Sequence, residues 1–286
     1  MRTNFDRQFP PLSVIVSTYN ASDYLQLCLT ALAQQTQSNF ELIVADDGST
    51  DEHRESYQQV LQKLDFNARL LWQPDEGFRK STILNAALEA SRGEYIIFID
   101  GDCIVAPDFV AQHCTKARPG RFLTGTRMRL NARATKTLLA GAERTRPPRQ
   151  IYDESIGHLP RTRVWLKGRA SDFGIAGLAS LLDPTKRTFN GCNSSCWRAD
   201  AFAIGGFDQR FCYGGEDVEF GERLANYGVT AHSVRYHARG LHLHHGRPYF
   251  DEQAFARNME LLNSTRGSQR MRTEHGINDA AEDGNP

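Results

Sequence analysis

The amino-acid sequence predicts an α/β fold in which a mostly parallel central sheet carries helices on both faces. Two observations support this prediction. In the first hundred residues, short apolar runs alternate with segments whose apolar residues recur at helical spacing. Acidic residues follow two of the apolar runs directly, at the end of the strand where open α/β sheets place their ligands. A chain of 286 residues is long enough for one large domain of this kind or two small ones.

Three strands and two helices are predicted in the first quarter of the chain. The strands are residues 12–17, 40–45 and 69–72. The helices between them each have one apolar face, formed by Leu25, Cys28, Leu29 and Leu32 in the first and by Tyr57, Val60, Leu61 and Leu64 in the second. The second strand runs into the acidic turn Asp46-Asp47-Gly48-Ser49-Thr50-Asp51.

A third helix, with Ile83, Leu84, Ala87 and Leu88 on its apolar face, is predicted to stop near Gly93. Residues 95–99 then predict a buried fourth strand, and Asp100-Gly101-Asp102 follows it directly. Carboxylates one residue apart can hold a divalent cation, and the cation can hold a diphosphate. This pair, at the end of a strand, is the most informative motif in the chain.

The composition sets the class of protein. Lys plus Arg and Asp plus Glu both total 34, so no charge excess argues for nucleic acid as a partner. There is no apolar signal core and no apolar run of roughly eighteen residues, which predicts a cytoplasmic protein. The six cysteines are scattered, as expected for free thiols. A zinc site formed by Cys192 and Cys196 with the histidines near residue 242 is the alternative.

The middle of the chain is strongly basic. Between Arg127 and Arg169 it has eleven Lys and Arg residues, opposed only by Glu143, Asp153 and Glu154. Solvated loops are one interpretation of this composition. A surface for an anionic acceptor or for lipid headgroups is the other.

Two further motifs lie in the last third of the chain. Gly214-Gly215-Glu216-Asp217 places two carboxylates at the predicted start of a helix, whose positive end keeps a carboxylate ionised, as a general base must be. Residues 240–245, Gly-Leu-His-Leu-His-His, supply three imidazoles. If that stretch is extended, His242 and His244 point the same way and can bind one ion, with His245 turned aside. Imidazole together with carboxylate suits Mn²⁺ better than Mg²⁺, which remains an alternative.

Four segments occur in order along the chain: Val14-Ile15-Val16-Ser17-Thr18-Tyr19-Asn20, Asp46-Asp47-Gly48-Ser49-Thr50-Asp51, Asp100-Gly101-Asp102 and Gly214-Gly215-Glu216-Asp217. Together they resemble the family 2 glycosyltransferases of the GT-A fold, strongly over residues 12–112 and well over 187–247. The second half is similar to a galactosyltransferase-like carboxyl-terminal module with an Asn-Gly, Gly-Gly-Phe-Asp, Gly-Gly-Glu-Asp signature. The basic middle is not accounted for by this resemblance.

The resemblance implies a nucleotide-sugar-binding half (1–115) and an acceptor-binding, catalytic half (187–265). A basic connecting or acceptor-side region (116–186) lies between them. Residues 266–286 form a polar tail with few apolar residues, which we expect to be disordered.

The resemblance also implies the residues of a nucleotide site: Ser17, Thr18, Tyr19, Asp47, Arg79, Asp100 and Gly101. In this assignment Tyr19 stacks on the nucleobase, Asp47 accepts a hydrogen bond from the uracil edge, and Asp100 reaches the ribose or a metal-bound water. A core role for Tyr19 and a solvated Arg79 are the alternatives. Asp102, His242 and His244 are the implied metal ligands, and the metal stabilises the diphosphate leaving group.

On the acceptor side, the resemblance implies that Asp217 is the general base and that Glu216 hydrogen-bonds the sugars. Tyr213 stands where the animal enzymes have tryptophan, and it leaves an aromatic platform for a sugar close to Gly215. Carboxylates that serve only the helix dipole are the alternative.

The function expected from these features is inverting transfer of a hexose, galactose first, from a UDP-sugar to a glycan or lipid-linked glycan. The expected setting is bacterial surface polysaccharide synthesis, such as lipopolysaccharide, in the cytoplasm, with residues 127–169 as a peripheral contact to the inner membrane. A metal-dependent sugar nucleotidyltransferase and a non-catalytic UDP-sugar-binding or zinc-binding module are the alternatives.

Overall fold

The structure is a computed structural model that describes residues 11–140, 170, 174–183, 185, 187–246 and 250–277. Most of the predicted basic surface lies outside these residues, including Arg144, Arg146, Arg149, Arg161, Arg163, Lys167 and Arg169.

The strands are β1 (Leu12–Thr18), β2 (Glu41–Asp46), β3 (Ala68–Trp72), β4 (Tyr95–Asp100), β5 (Cys103–Val105), β6 (Arg121–Thr124), β7 (Thr126–Arg129), β8 (Ser194–Trp197), β9 (Thr230–Ser233) and β10 (Arg239–His242). The helices are α1 (Ser22–Ala33), α2 (Asp51–Leu61), α3 (Lys80–Ala90), α4 (Phe109–Lys116), α5 (Ala132–Ala140), α6 (Ala176–Leu182), α7 (Arg198–Ala203), α8 (Glu216–Asn226) and α9 (Glu252–Ser268). The first four strands start and end within one residue of their predicted positions.

The main sheet has seven strands in the order β3-β2-β1-β4-β8-β6-β9. Strands β3, β2, β1 and β4 pair in parallel, β8 runs antiparallel to both of its neighbours, and β6 and β9 are parallel. The predicted α/β fold with a mostly parallel sheet is confirmed.

Helices cover both faces of this sheet because its central strands are apolar on both sides. Val14 and Val16 of β1 belong to one buried cluster, with residues of α1, α2 and α4. Ile15, between them, belongs to a second cluster with residues of α3, α7 and α8. Successive strand residues point to opposite faces, so a strand buried on both sides loses the apolar–polar alternation.

The strand register brings the predicted donor-side motifs together at the carboxyl ends of the parallel strands. Ser17 lies opposite Asp100, and Thr18 lies opposite Asp46. The backbone N–H of Asp47 then donates to the carbonyl of Thr18 at 3.0 Å. Parallel strands end on the same side, so segments distant in sequence become neighbours there.

A second sheet, in the order β5-β10-β7, attaches the histidine segment to the Asp-Gly-Asp motif. Strand β10 pairs antiparallel with β5, which places His242 opposite Cys103. One residue further, the N–H of Leu243 donates to the carbonyl of Asp102 at 2.9 Å.

The zinc alternative does not fit this fold. Cys192 is buried in the first apolar cluster and Cys196 in the second. The two thiols therefore lie on opposite faces of the main sheet, and they cannot share one ion.

The predicted disorder of the tail is wrong for its first part. Helix α9 continues to Ser268, and Thr273 and Ile277 are buried. The N–H of Ile277 donates to the carbonyl of Gly205 at 2.8 Å, and the hydroxyl of Thr273 donates to Asp208 at 2.9 Å. Backbone and hydroxyl bonds attach this segment, which composition does not reveal. Residues 278–286 of the predicted tail lie outside the described part.

None of the described helices is long and apolar enough to cross a bilayer.

The packing of the tail can be tested with Ile277→Ala. We expect the substitution to lower the free energy of unfolding by about 2–4 kcal/mol, because it removes buried methyl groups and leaves a cavity against Gly206. Chemical denaturation monitored by circular dichroism measures the change. Leu178→Ala is the control, since Leu178 is 60% exposed, and a change within about 0.5 kcal/mol is expected for it. Equal effects of both substitutions would contradict the packed tail.

Candidate active site

Asp47 lies at the carboxyl end of β2, where both of its oxygens are hydrogen-bonded. Oδ1 accepts from Nε2 of Gln73 at 2.6 Å, and Oδ2 accepts from the N–H of Arg79 at 3.0 Å. Burial nevertheless raises the pKa of Asp47 to about 6. The carboxylate fixes the start of α3, and each oxygen keeps a further lone pair for a ligand.

Tyr19 and Arg79 form the outer rim of this end of the sheet. Tyr19 is 38% exposed and donates from its hydroxyl to Asp75 at 2.8 Å, so it is not a core aromatic residue. Arg79 makes an ion pair with Glu76 at 2.6 Å. Both side chains stand beside the loop between β3 and α3, where a planar base could stack.

Ser17, Thr18 and Gly101 form the floor of the site. The N–H of Gly101 donates to the carbonyl of Ser17 at 2.8 Å. A Cβ at Gly101 would lie 3.0 Å from that carbonyl oxygen, so only glycine fits there without a shift. The hydroxyl of Thr18 is buried, 3.4 Å from the hydroxyl of Tyr57. These residues hold β1 and the Asp-Gly-Asp turn together.

Asp100 accepts two hydrogen bonds on the same oxygen. Its Oδ1 receives the hydroxyl of Ser17 at 2.9 Å and the ammonium of Lys80 at 2.6 Å. Burial works against the charged form, but the Lys80 ammonium outweighs it and holds the pKa of Asp100 at about 2. Asp100 is therefore an ionised carboxylate at neutral pH.

Lys80 is a site residue that the sequence analysis missed. It is the first residue of α3, and a cation at the positive end of a helix is unfavourable unless an anion compensates it. A lysine at the first position of a predicted helix is therefore the sequence feature from which Lys80 could have been identified as a site residue.

Asp102, His242 and His245 form a group that can hold a metal ion, and their ligand atoms lie within 4.8 Å of one another. Oδ2 of Asp102 is 3.4 Å from Nε2 of His242 and 2.9 Å from Nε2 of His245. Burial lowers the pKa of His242, whereas the hydrogen bond to Asp102 raises the pKa of His245.

Hydrogen bonds fix the tautomers that a metal needs. Nδ1 of His242 is 2.8 Å from the carbonyl of Leu243, and Nδ1 of His245 is 2.6 Å from the carbonyl of Gly246. A carbonyl oxygen can only accept, so each Nδ1 carries a hydrogen, and Nε2 of each ring faces Asp102. Nε2 of His245 donates a hydrogen bond to Asp102, and this proton would leave as a cation binds. One carboxylate and two neutral imidazoles would then fit a divalent cation.

The geometry puts His245, and not the predicted His244, in this group. Strand β10 ends at His242, so the two-residue alternation of a strand does not extend to His244. The side chain of His244 is exposed, and its N–H donates to the hydroxyl of Thr135 at 2.8 Å.

Glu216 and Asp217 open α8 after two glycines. Gly214 and Gly215 have φ of +100° and +97°, a left-handed conformation that glycine adopts readily. Oδ2 of Asp217 accepts from the N–H of Gly191 at 3.0 Å, and Oδ1 accepts from the N–H of Val218 at 2.7 Å. The Asp217 carboxylate is half-buried, within reach of a ligand.

Glu216 is buried, and its Oε2 accepts from the N–H of Gly214 at 3.1 Å. Burial, followed by the charge of Asp217, raises the pKa of Glu216 to about 7. Near neutral pH it therefore exchanges a proton, and it can donate to or accept from a sugar hydroxyl.

Gly191 joins the two predicted halves of the site. A Cβ at this position would lie 3.4 Å from Nζ of Lys80, 3.8 Å from Oδ1 of Asp100 and 3.9 Å from Cβ of Asp217. The donor-side and acceptor-side residues therefore meet around one backbone segment.

Aromatic rings border the acceptor side. Tyr213 is in edge contact with Phe78, at 5.4 Å between ring centroids, and with Phe250, at 6.5 Å. The loop that carries Tyr213 is fixed from α9, because Nδ2 of Asn258 donates to the carbonyls of Gly214 at 2.8 Å and Cys212 at 3.1 Å.

Two family models match the chain. One, described as glycosyl transferase family 2, matches residues 13–158, and one, described as the N-terminal domain of galactosyltransferase, matches residues 182–246. The chain belongs to the family 2 glycosyltransferases. The implied resemblance is confirmed, and the first match extends further into the basic middle than expected.

Among curated relatives, the chain is 28% identical over 253 residues to a validoxylamine A glucosyltransferase of Streptomyces hygroscopicus subsp. jinggangensis, covering 84% of this chain and 57% of the relative. It is 31% identical over 230 residues to the hyaluronan synthase of Pasteurella multocida, covering 78% of this chain and 24% of the relative. The chain thus spans little more than half, or less, of the length of these relatives.

Solved structures show the same fold. A mannosyltransferase of Pyrobaculum calidifontis, in complex with GDP-Man and Mn²⁺, has a TM-score of 0.61 at 18% identity, covering 91% of this chain and 65% of that one. TarS of S. aureus, residues 1–349 with UDP-GlcNAc, has a TM-score of 0.61 at 17% identity, covering 89% and 66%. Both likenesses support the GT-A fold.

The ligand group can be tested by Mn²⁺ binding. We expect His245→Ala to weaken binding at least about tenfold, because Nε2 of His245 faces Asp102. His244→Ala is the matched control and should leave the affinity unchanged, since the histidine contributes its backbone N–H. Calorimetric titration measures both affinities. A larger loss of Mn²⁺ affinity in His244→Ala than in His245→Ala would instead support His244 as the ligand beside His242.

Proposed function

We propose that this protein transfers a hexose from a UDP-sugar to a hydroxyl of a glycan acceptor, with inversion at the anomeric carbon. The observation that carries the proposal is the two-sided site around Gly191. On one side lie Asp100 and the Asp102–His242–His245 group, and on the other lies Asp217. A donor diphosphate and an acceptor hydroxyl fit opposite ends of this arrangement.

The protein groups can perform the transfer in one step. Asp217 takes the proton of the acceptor hydroxyl while that oxygen forms a bond to the anomeric carbon, and the bond from this carbon to the diphosphate oxygen breaks. A divalent ion bound to Asp102, His242 and His245 would supply positive charge to the departing diphosphate. The mixed nitrogen and oxygen ligands favour Mn²⁺, with Mg²⁺ as the alternative.

Asp47 and Tyr19 support a uracil nucleotide. A carboxylate at the end of β2 can accept the N3–H of uracil, and the exposed ring of Tyr19 can stack on the base. Neighbours of this fold were solved with UDP-GlcNAc and with GDP-Man, so the fold alone does not select the base. The choice of UDP rests on Asp47.

The galactosyltransferase match over residues 182–246 makes galactose the first sugar to test. Among the relatives are hyaluronan and chondroitin synthases and a teichoic acid polymerase, which favours a role in polysaccharide synthesis. We place that role in the cytoplasm, with a glycan or lipid-linked glycan as acceptor. The family matches favour glycosyl transfer over sugar nucleotidyl transfer or binding without chemistry.

A panel of UDP-sugars with Mn²⁺, monitored by UDP release, tests this proposal. UDP release supports glycosyl transfer. A sugar nucleotidyltransferase would instead release pyrophosphate from UTP and a sugar 1-phosphate, so this pair of substrates is tested beside the panel.

The role of Asp47 predicts a pH-dependent affinity for uridine. Because the pKa of Asp47 is raised to about 6, the carboxylate is ionised only above that pH, and we expect binding to strengthen from about pH 5 to about pH 7. Uridine is titrated calorimetrically without metal, so that neither phosphate groups nor a metal ion contribute to the measured affinity. In Asp47→Asn the affinity should be lower and independent of pH over this range. A wild-type affinity that does not change with pH would argue against Asp47 as the base acceptor.

The role of Asp217 predicts a loss of rate without a loss of donor binding. We expect Asp217→Asn to slow transfer about a hundred- to ten-thousand-fold while the affinity for UDP and Mn²⁺ remains. Asparagine has one accepting oxygen, so it can accept from only one of the two N–H groups that donate to Asp217. We therefore expect a loss of about 1–2 kcal/mol in the free energy of unfolding, which thermal unfolding measures separately.

Glu222→Gln, on the same helix and in an ion pair with Arg266, is the control and should retain the wild-type rate. A folded Asp217→Asn protein with wild-type turnover would remove Asp217 as the base. Glu219 could not replace it, because it is fully buried and paired with Arg223 at 2.8 Å.

A further inference from the structure

Lys80 is an ammonium held inside the site by carboxylates from different elements. Its Nζ lies 2.6 Å from Oδ1 of Asp100, and its side chain is only 17% exposed. The hydroxyl of Ser17 donates to the same oxygen at 2.9 Å. A lysine that starts a helix faces the positive helix end, so these anions must offset both the helix dipole and the loss of hydration.

Two more carboxylates act on the same ammonium. Burial alone would lower the pKa of Lys80, but the charges of Asp100, Glu216 and Asp217 outweigh it and raise that pKa. Around Gly191 the Lys80 nitrogen and the Asp217 side chain both lie within 4 Å of one point. Lys80 therefore stands between the Asp-Gly-Asp motif and the proposed general base.

Arg127 of β7 is a further cation that acts on these carboxylates. Burial of its guanidinium would lower its pKa, but the side chain of Cys192 and the charges of Asp100 and Asp217 outweigh this burial and raise that pKa. Arg127 is nevertheless an exposed residue, whereas Lys80 is enclosed. Charge on an enclosed group is screened less by water and salt, so Lys80 exerts the stronger field on a bound ligand.

The position between metal group and base is where the leaving diphosphate must lie. The ammonium has three hydrogens, and Asp100 uses one of them. Asp100, Asp102, Glu216 and Asp217 alone would repel a diphosphate.

We propose that Lys80 binds the diphosphate of the donor and donates a hydrogen bond to the phosphate oxygen that leaves the anomeric carbon. This inference rests on the proposed function for the presence of a nucleotide diphosphate donor. As the carbon–oxygen bond breaks, negative charge grows on that oxygen, and the ammonium is already in place to stabilise it. Removal of one such donor slows related reactions about a hundred- to a thousand-fold.

Lys80→Met tests the inference, because methionine has a similar length and no charge. Lys80→Arg restores the charge, and Lys63→Met removes an exposed lysine at the end of α2 as the matched control. Four ligands are titrated by calorimetry: Mn²⁺ alone, uridine without metal, and both inorganic pyrophosphate and UDP with Mn²⁺. GDP is added to separate the base from the diphosphate.

We expect Lys80→Met to weaken pyrophosphate and UDP by about tenfold to a hundredfold, which is typical for a lost hydrogen bond to a charged group. Uridine should bind as in the wild type. Mn²⁺ alone should bind as well or more tightly, because a nearby positive charge is gone. Lys80→Arg should recover part of the diphosphate affinity, and Lys63→Met should match the wild type.

Unchanged binding of pyrophosphate and UDP in Lys80→Met would overturn the inference. Equal losses for uridine, Mn²⁺ and diphosphates would also overturn it, since they indicate a structural role. If the wild type binds GDP and pyrophosphate but not UDP, and Lys80→Met weakens both, Lys80 keeps its role and only the choice of UDP fails. A wild type that binds no diphosphate contradicts both proposals.

Discussion

The site depends on one hydrogen bond, from the N–H of Gly191 to Oδ2 of Asp217 at 3.0 Å. The donor-side carboxylates Asp47, Asp100 and Asp102 lie at the carboxyl ends of parallel strands. Asp217 comes from a helix more than a hundred residues later in the chain. The loop at Gly191 passes between them, and a Cβ there would lie at ordinary contact distance from Lys80 and Asp100. The backbone N–H of this loop is therefore the group that links the two halves.

That loop is held by buried polar groups. Nδ2 of Asn193 donates to the carbonyls of Thr126 at 3.0 Å and Ala238 at 2.9 Å, which joins the main sheet to the small one. His113 bridges Oδ1 of Asn193 and the hydroxyl of Ser195. Buried polar groups whose hydrogen bonds are complete define one arrangement, since any shift leaves a partner unsatisfied. Gly191 is thus fixed before a ligand arrives.

The sequence was sufficient where structure follows from local pattern. Strands β1, β2 and β4 are apolar on both faces, so their ends and the acidic residues after them can be predicted from a single segment. Pairing between distant segments could not be predicted in this way. Strand β10 ends at His242 because β5 and β7 are short, and that end decides which histidine meets Asp102. Lys80 was missed because its partners come from β4 and α8. The tail was missed because backbone hydrogen bonds attach it.

The pKa values of the site give its charge balance. The ammonium of Lys80 holds the pKa of Asp100 at about 2, so this carboxylate is ionised at neutral pH. Burial and the charge of Asp217 raise the pKa of Glu216 to about 7, so Glu216 is protonated below that pH. Lys80 therefore compensates Asp100 well but leaves the negative charge at the start of α8 only partly offset. A deficit of positive charge remains between Asp102 and Asp217. In the proposed function, a divalent ion bound on the Asp102 side would reduce this deficit and would weaken the repulsion between a diphosphate and the base.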